Sequence, residues 1–119
     1  MSKVLVVDDE KLALEGVLSA VQAAAPYAEA RGCRDGDEDF AVAADFVPDV
    51  AFLDIALRGE NGVHLAHRLQ ALNPKLNVIF VTGYSDYMKE AFDMHASGYV
   101  LKPVDEAAVR AELAALRFP

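Results

Sequence analysis

Four short apolar runs in this chain each stop at a reactive polar side chain. Val4-Leu5-Val6-Val7 runs into Asp8-Asp9-Glu10, Val50-Ala51-Phe52-Leu53 into Asp54, Val78-Ile79-Phe80-Val81 into Thr82-Gly83, and Gly98-Tyr99-Val100-Leu101 into Lys102-Pro103. Runs of this length that do not alternate with polar residues read as strands buried on both faces, the habit of parallel sheets. If the strands are parallel, three acids, a hydroxyl and an ammonium meet at one sheet edge, where open α/β folds build their sites.

Helical stripes fill the intervals. They are Leu14, Val17, Leu18 and Val21 ahead of Pro26; a helix around Asp37–Phe46 ahead of Pro48; Leu65, Leu69 and Leu72, closed by Asn73-Pro74; Met88, Ala91, Phe92 and His95; and Val109, Leu113 and Leu116, starting near Asp105. A further strand around Ala28–Cys33 brings the count to five strands alternating with five helices. Short connections between them predict a parallel sheet covered on both faces, with right-handed crossovers. No linker or low-complexity segment interrupts the rhythm, so residues 1–119 are expected to form one domain. A chain of 119 residues buries roughly two-thirds of its unfolded surface, enough for a core without staples.

Composition excludes several classes. Nineteen acidic against 11 basic residues give a formal charge of −8, which a phosphate backbone would repel, so direct nucleic-acid binding is not expected. The apolar stretches are strand-sized, short of the ~20 residues that span a bilayer, and no leader precedes the first strand. The single Cys33 cannot form an internal disulfide and reads as a strand-end residue rather than a redox switch. A reducing, cytoplasmic setting is the expectation. His64, His67 and His95 make no metal-binding spacing and receive no role.

Each candidate has a plain structural alternative. Asp8-Asp9 could cap a helix beside Lys11, Lys102 could be a solvated strand-end lysine, Thr82 a turn cap and Tyr99 a half-buried strand aromatic. Asp54 fits worst as filler, because Asp is depleted from strands and this one follows four apolar residues. The joint occurrence, each on its own strand exit, favours a site.

Three carboxylates so gathered repel one another, each pair by roughly 4 kcal/mol at ~4 Å with an effective dielectric near 20. Three negative charges and the Lys102 ammonium leave two negative, which Mg²⁺ would cancel. Asp9 and Asp54 would ligate directly, Asp8 through water, and a backbone carbonyl after Asp54, best placed at Ala56, would join them. Such a site suits phosphoryl transfer, with Asp54 as nucleophile and Lys102 and Thr82 binding the other phosphoryl oxygens. Ala56 and Tyr84 would set how easily water reaches the resulting acyl phosphate.

Together Val6-Val7-Asp8-Asp9-Glu10, Phe52-Leu53-Asp54-Ile55, Phe80-Val81-Thr82-Gly83 and Leu101-Lys102-Pro103 resemble the receiver domain of bacterial two-component response regulators, over the whole chain. The resemblance implies a flavodoxin-like (βα)5 sandwich with strand order 2-1-3-4-5, and a signalling phosphoacceptor rather than an enzyme. It implies phosphorylation of Asp54 by a partner histidine kinase, Mg²⁺ held around Asp8, Asp9 and Asp54, Lys102 on the phosphoryl group and a cis Lys102-Pro103 peptide. Thr82 and Tyr99 match the family's switch pair, in which the hydroxyl moves toward the phosphoryl group and the ring turns into the vacated space. The face formed by the fourth helix, fifth strand and fifth helix would then change shape and be read by a partner or a second copy. The stretch from Tyr84 to Tyr99 looks like receivers that precede LytTR-like or related transcriptional output domains.

One departure is Leu57-Arg58, where the family usually carries Met-Pro, with Gly62 retained. Without the proline the loop offering the metal-binding carbonyl is looser. Three rivals fit less well. A haloacid-dehalogenase-type phosphatase wants its nucleophile and acid two apart after the first strand, and Asp8-Asp9 are adjacent. A flavin-phosphate binder needs an anion-cradling loop where Asp8-Asp9-Glu10 would repel. A receiver-like scaffold without phosphorylation has no need of the acid, Thr and Lys set present here.

Overall fold

The computed structural model describes residues 2–34, 41, 45–57, 61–83 and 93–118. Along them run β1 (Lys3–Val7), α1 (Lys11–Ala24), β2 (Glu29–Cys33), β3 (Val50–Asp54), α2 (Gly62–Leu72), β4 (Asn77–Thr82), β5 (Gly98–Leu101) and α3 (Glu106–Leu113). The five strands form one parallel sheet in the order β2-β1-β3-β4-β5, the flavodoxin-like arrangement expected. Chain order reverses on either side of β1, so the crevice above β1 and β3 is the switch point of the topology.

The apolar runs fail to alternate because both faces of the sheet are covered. Leu5, Val7, Leu53 and Phe80 point to one side and pack with Leu65, Ala66 and Leu69 of α2. Val4, Val6, Phe52 and Ile79 point to the other and pack with Val17 and Val21 of α1 and Val109 of α3. Burying a Val, Leu, Ile or Phe side chain contributes about 1.5–3 kcal/mol, and the central strands, almost wholly buried, concentrate that stabilisation beneath the site.

Several expected helix positions differ. Leu72 ends α2 but is 49% exposed, because the helix closes there with the Asn73 N–H bonded to the Leu69 carbonyl. His95 lies not in a helix but in a turn, with φ of 57°. Leu116 falls beyond α3, which ends at Leu113. Met88, Ala91 and Phe92 of the expected fourth helix lie outside the described residues, as do Asp37, Arg58 and Tyr84. Phe46 is buried, with Lys3 and Arg31 cations over its ring at 5.7 and 4.6 Å.

Candidate functional site

The acids share a rim because their strands are parallel neighbours. Val7 pairs with Leu53, so Asp8 leaves β1 beside the end of β3, whose last residue is Asp54. Asp54 pairs with Val81, and the next residue, Thr82, pairs with Leu101, which precedes Lys102. The Lys102 N–H donates to the Thr82 carbonyl at 2.8 Å, carrying the ladder one step past β5. The Lys102-Pro103 peptide is cis.

Asp8, Asp9 and Asp54 each present a carboxylate oxygen, and the three oxygens lie within 4.8 Å of one another. Asp8 and Asp54 are buried and Asp9 half-buried. Backbone donors two residues on orient the buried pair: Glu10 N–H donates to Asp8 Oδ1 at 3.0 Å, and Ala56 N–H to Asp54 Oδ1 at 3.1 Å. Lys102 Nζ takes the second oxygens, 2.8 Å from Asp8 Oδ2 and 3.3 Å from Asp54 Oδ2. Asp8 Oδ2 is fully buried, and this ion pair does not give it a well-directed hydrogen bond.

The titration behaviour follows from this crowding. Burial, then the Asp8 charge, push the Asp54 carboxyl above its ordinary 3.8, and Lys102 with the Ala56 N–H does not cancel them. Burial alone would lower the Lys102 ammonium, but the Asp8 contact and the Asp54 and Asp8 charges outweigh it, so the group sits above its ordinary 10.5 and stays protonated. One ammonium is thus too little for three acids. An all-oxygen set with a buried carboxylate oxygen lacking a directed hydrogen bond fits a hard divalent cation.

The N-cap of α1 is Glu10, which makes no side-chain cap bond, and the Asp8 carboxylate accepts from the Glu10 N–H just ahead of the helix while its other oxygen faces Lys102. Thr82 is the fully buried last residue of β4 rather than a turn residue. Tyr99 is half-buried against the core on the α2 side. Ala56 is exposed and bridges Asn61, which caps α2 by accepting from the Val63 N–H at 2.7 Å.

Gly62, already matched to the family pattern, gains a physical reason, and Arg34 joins as a contributor that was missed. Gly62 opens α2 so close to the end of β3 that a Cβ there would overlap the Asp54 carbonyl oxygen and crowd Ile55 Cα. Its N–H donates to the Ile55 carbonyl at 2.8 Å, locking the loop that carries Ala56. A glycine opening an apolar helical stripe was the available signal. Arg34 donates to the Asp9 carbonyl at 3.3 Å, a contact across strands that nothing local in the sequence announces. Beside the site Leu12, Ala13, Val17, Pro103 and Val104 line an apolar groove of about 440 Å³.

Comparison with known proteins identifies the family and the fold. The response regulator receiver domain family matches residues 4–114. The sensory transduction protein LytT of Bacillus subtilis is 34% identical over 113 residues, covering 95% of this chain and 47% of that protein. The transcriptional regulatory protein BtsR of Escherichia coli is 35% identical over 117 residues, covering 98% and 48%. The chain thus spans about half the length of these curated relatives. Among solved structures, the signal receiver domain of a modulated diguanylate cyclase from Desulfovibrio desulfuricans superposes with a TM-score of 0.82 at 30% identity, covering 96% of this chain and 91% of that one. The BeF3-activated DrrB receiver domain gives 0.81 at 25%, covering 96% and 95%.

Proposed function

The chain belongs to the response regulator receiver domain family, and from that premise we propose that Asp54 accepts a phosphoryl group from a histidine kinase. The observation that carries the reading is Lys102 Nζ seated between Asp8 and Asp54 at the rim of a parallel sheet. An Asp54 carboxylate oxygen forms a bond to phosphorus as the bond from phosphorus to the kinase histidine nitrogen breaks, and the electron pair leaves with the imidazole. Asp8, Asp9, Asp54 and the Ala56 carbonyl would hold Mg²⁺, whose charge eases the approach of an anionic donor to an anionic acceptor.

The chain's own groups do the rest. Lys102, kept protonated by its acidic neighbours, and the Thr82 hydroxyl receive the phosphoryl oxygens. The Ala56 N–H holds the acceptor carboxylate in place, and Gly62 lets α2 start hard against the backbone that carries it. The apolar groove beside Lys102 offers the kinase a surface to rest on. Exposed Ala56, with Tyr84, sets how readily water hydrolyses the product.

Transfer replaces the single negative charge of the carboxylate by the roughly −2 of an acyl phosphate, an added charge of about −1 at the rim, which draws Thr82 and lets the Tyr99 ring pack further inward. The edge strand β5, with Leu101 48% exposed, and α3 then present an altered face to a partner or a second copy. A relative is named a transcriptional regulatory protein and is about twice as long; the receiver, residues 1–119, would act in the cytoplasm through an output module rather than bind DNA itself, consistent with its charge of −8.

The test is intact-mass measurement after incubation with acetyl phosphate and Mg²⁺. The parent should gain one phosphoryl group and Asp54→Asn none; equal labelling of both removes Asp54 from its role.

A further inference from the structure

The sheet edge opposite the acids carries a second side-chain network, which phosphoryl transfer does not use. Asn77, the first residue of β4, is 2% exposed and its amide is saturated. Nδ2 donates to the Asp49 carbonyl at 3.1 Å and to the Phe118 carbonyl at 2.8 Å. Oδ1 accepts from the Phe118 N–H at 2.7 Å and from Ser97 Oγ at 2.9 Å. Chemistry fixes this orientation, since two carbonyls can face only Nδ2 and an N–H only Oδ1. Ser97 Oγ accepts from the Arg117 N–H at 3.1 Å, and the Arg117 guanidinium donates to the His95 carbonyl at 2.9 Å.

The Asn77 amide therefore pairs with the backbone amide of Phe118 at two points, as a neighbouring strand would. Nothing in core packing calls for Asn here: it is poorly suited to strands, and its burial is tolerated only because every polar atom is matched. Two of the four matching groups are the N–H and carbonyl of Phe118, beyond α3, and Ser97, which supplies a third, also holds the Arg117 N–H. Meanwhile the Ser97 N–H donates to the Val78 carbonyl at 2.8 Å, so Ser97 is itself fixed to β4.

We propose that Asn77 and Ser97 form a latch that fastens the backbone beyond α3 to the starts of β4 and β5. A segment attached at Phe118 is then carried with the sheet and not with α3. Resting on the phosphoacceptor reading, one consequence is that the exit is held by the two strands bearing Thr82 and Tyr99. The latch itself does not depend on that reading.

Hydrogen exchange of the full chain, without Mg²⁺ or phosphodonor, separates the two. Asn77→Ala should speed exchange of the Arg117 and Phe118 amides by about tenfold or more, while Leu65 and Leu69 amides in α2 change far less. Ser97→Ala should speed Arg117 more than Phe118, and trypsin should cut after Arg117 faster in both variants. Unprotected Arg117 and Phe118 amides in the parent, no change in the variants, or uniform acceleration throughout the chain would overturn the latch. If Asn77→Ala does not fold, Ser97→Ala decides alone: selective acceleration at Arg117 supports the proposal and its absence refutes it.

Discussion

Lys102 Nζ stands 3.3 Å from Asp54 Oδ2 although 48 residues separate the two along the chain. β4 lies between their strands, so only the parallel order β3-β4-β5 lets a strand-end lysine reach back over Thr82 to the acid. The same ammonium is closer still to Asp8, which makes it the common counter-ion of two buried carboxylates.

Replacing that counter-ion should be costly. Breaking a buried pair by removing one partner costs about 3–5 kcal/mol, and the partial exposure of Lys102 screens part of that. Lys102→Met is expected to lose about 2 kcal/mol in urea unfolding at neutral pH. A loss below experimental error would mean the acids do not depend on this lysine.

Asp54→Asn should do the opposite when metal is withheld. The folded-state carboxyl titrates above its ordinary value, so its ionised form weakens the fold; the penalty is present at neutral pH and relieved as pH falls through the folded pKa. The variant should melt a few degrees higher than the parent at neutral pH, ~4 °C for each ~1 kcal/mol in a domain near this size. The gap should close on acidification into the ordinary carboxylate range. A gap that widens with acid contradicts the sign of the shift.

Mg²⁺ should stabilise the parent by mass action, about 2.7 kcal/mol at a hundredfold excess over its dissociation constant. Chelator should reverse the gain, and Asp9→Ala, which removes the half-buried acid of the cluster, should lose most of it. Melting curves that ignore Mg²⁺ would remove the cation from the account.

Beryllofluoride with Mg²⁺ should shift the protein from monomer toward dimer in light scattering, through the face that contains β5 with its exposed Leu101. An unchanged monomer at saturation counts against self-association as the way this face is read.

Much of this was legible in the chain because the site is written at strand ends. Asp54 ends a buried apolar run and Lys102 an apolar run on the edge strand, and once the runs are parallel their meeting follows. What escaped is what depends on contacts between distant segments. Leu116 keeps the helical spacing of Val109 and Leu113, yet α3 stops at Leu113 and the following backbone is taken up by Asn77 and Ser97. His95 extends an apolar stripe, but the chain turns there with positive φ to enter β5. The sequence marks a glycine at 62, but its reason, the nearness of the Asp54 carbonyl oxygen, appears only in the fold.

The most direct test is to treat the acetyl phosphate-labelled protein with borohydride, which reduces an aspartyl phosphate to homoserine, and to map the product by tandem mass spectrometry. Homoserine at position 54 and nowhere else is the expected result. Homoserine at Asp8 or Asp9 instead, or none in protein that has gained a phosphoryl group, would contradict the assignment of Asp54 as the residue that carries it.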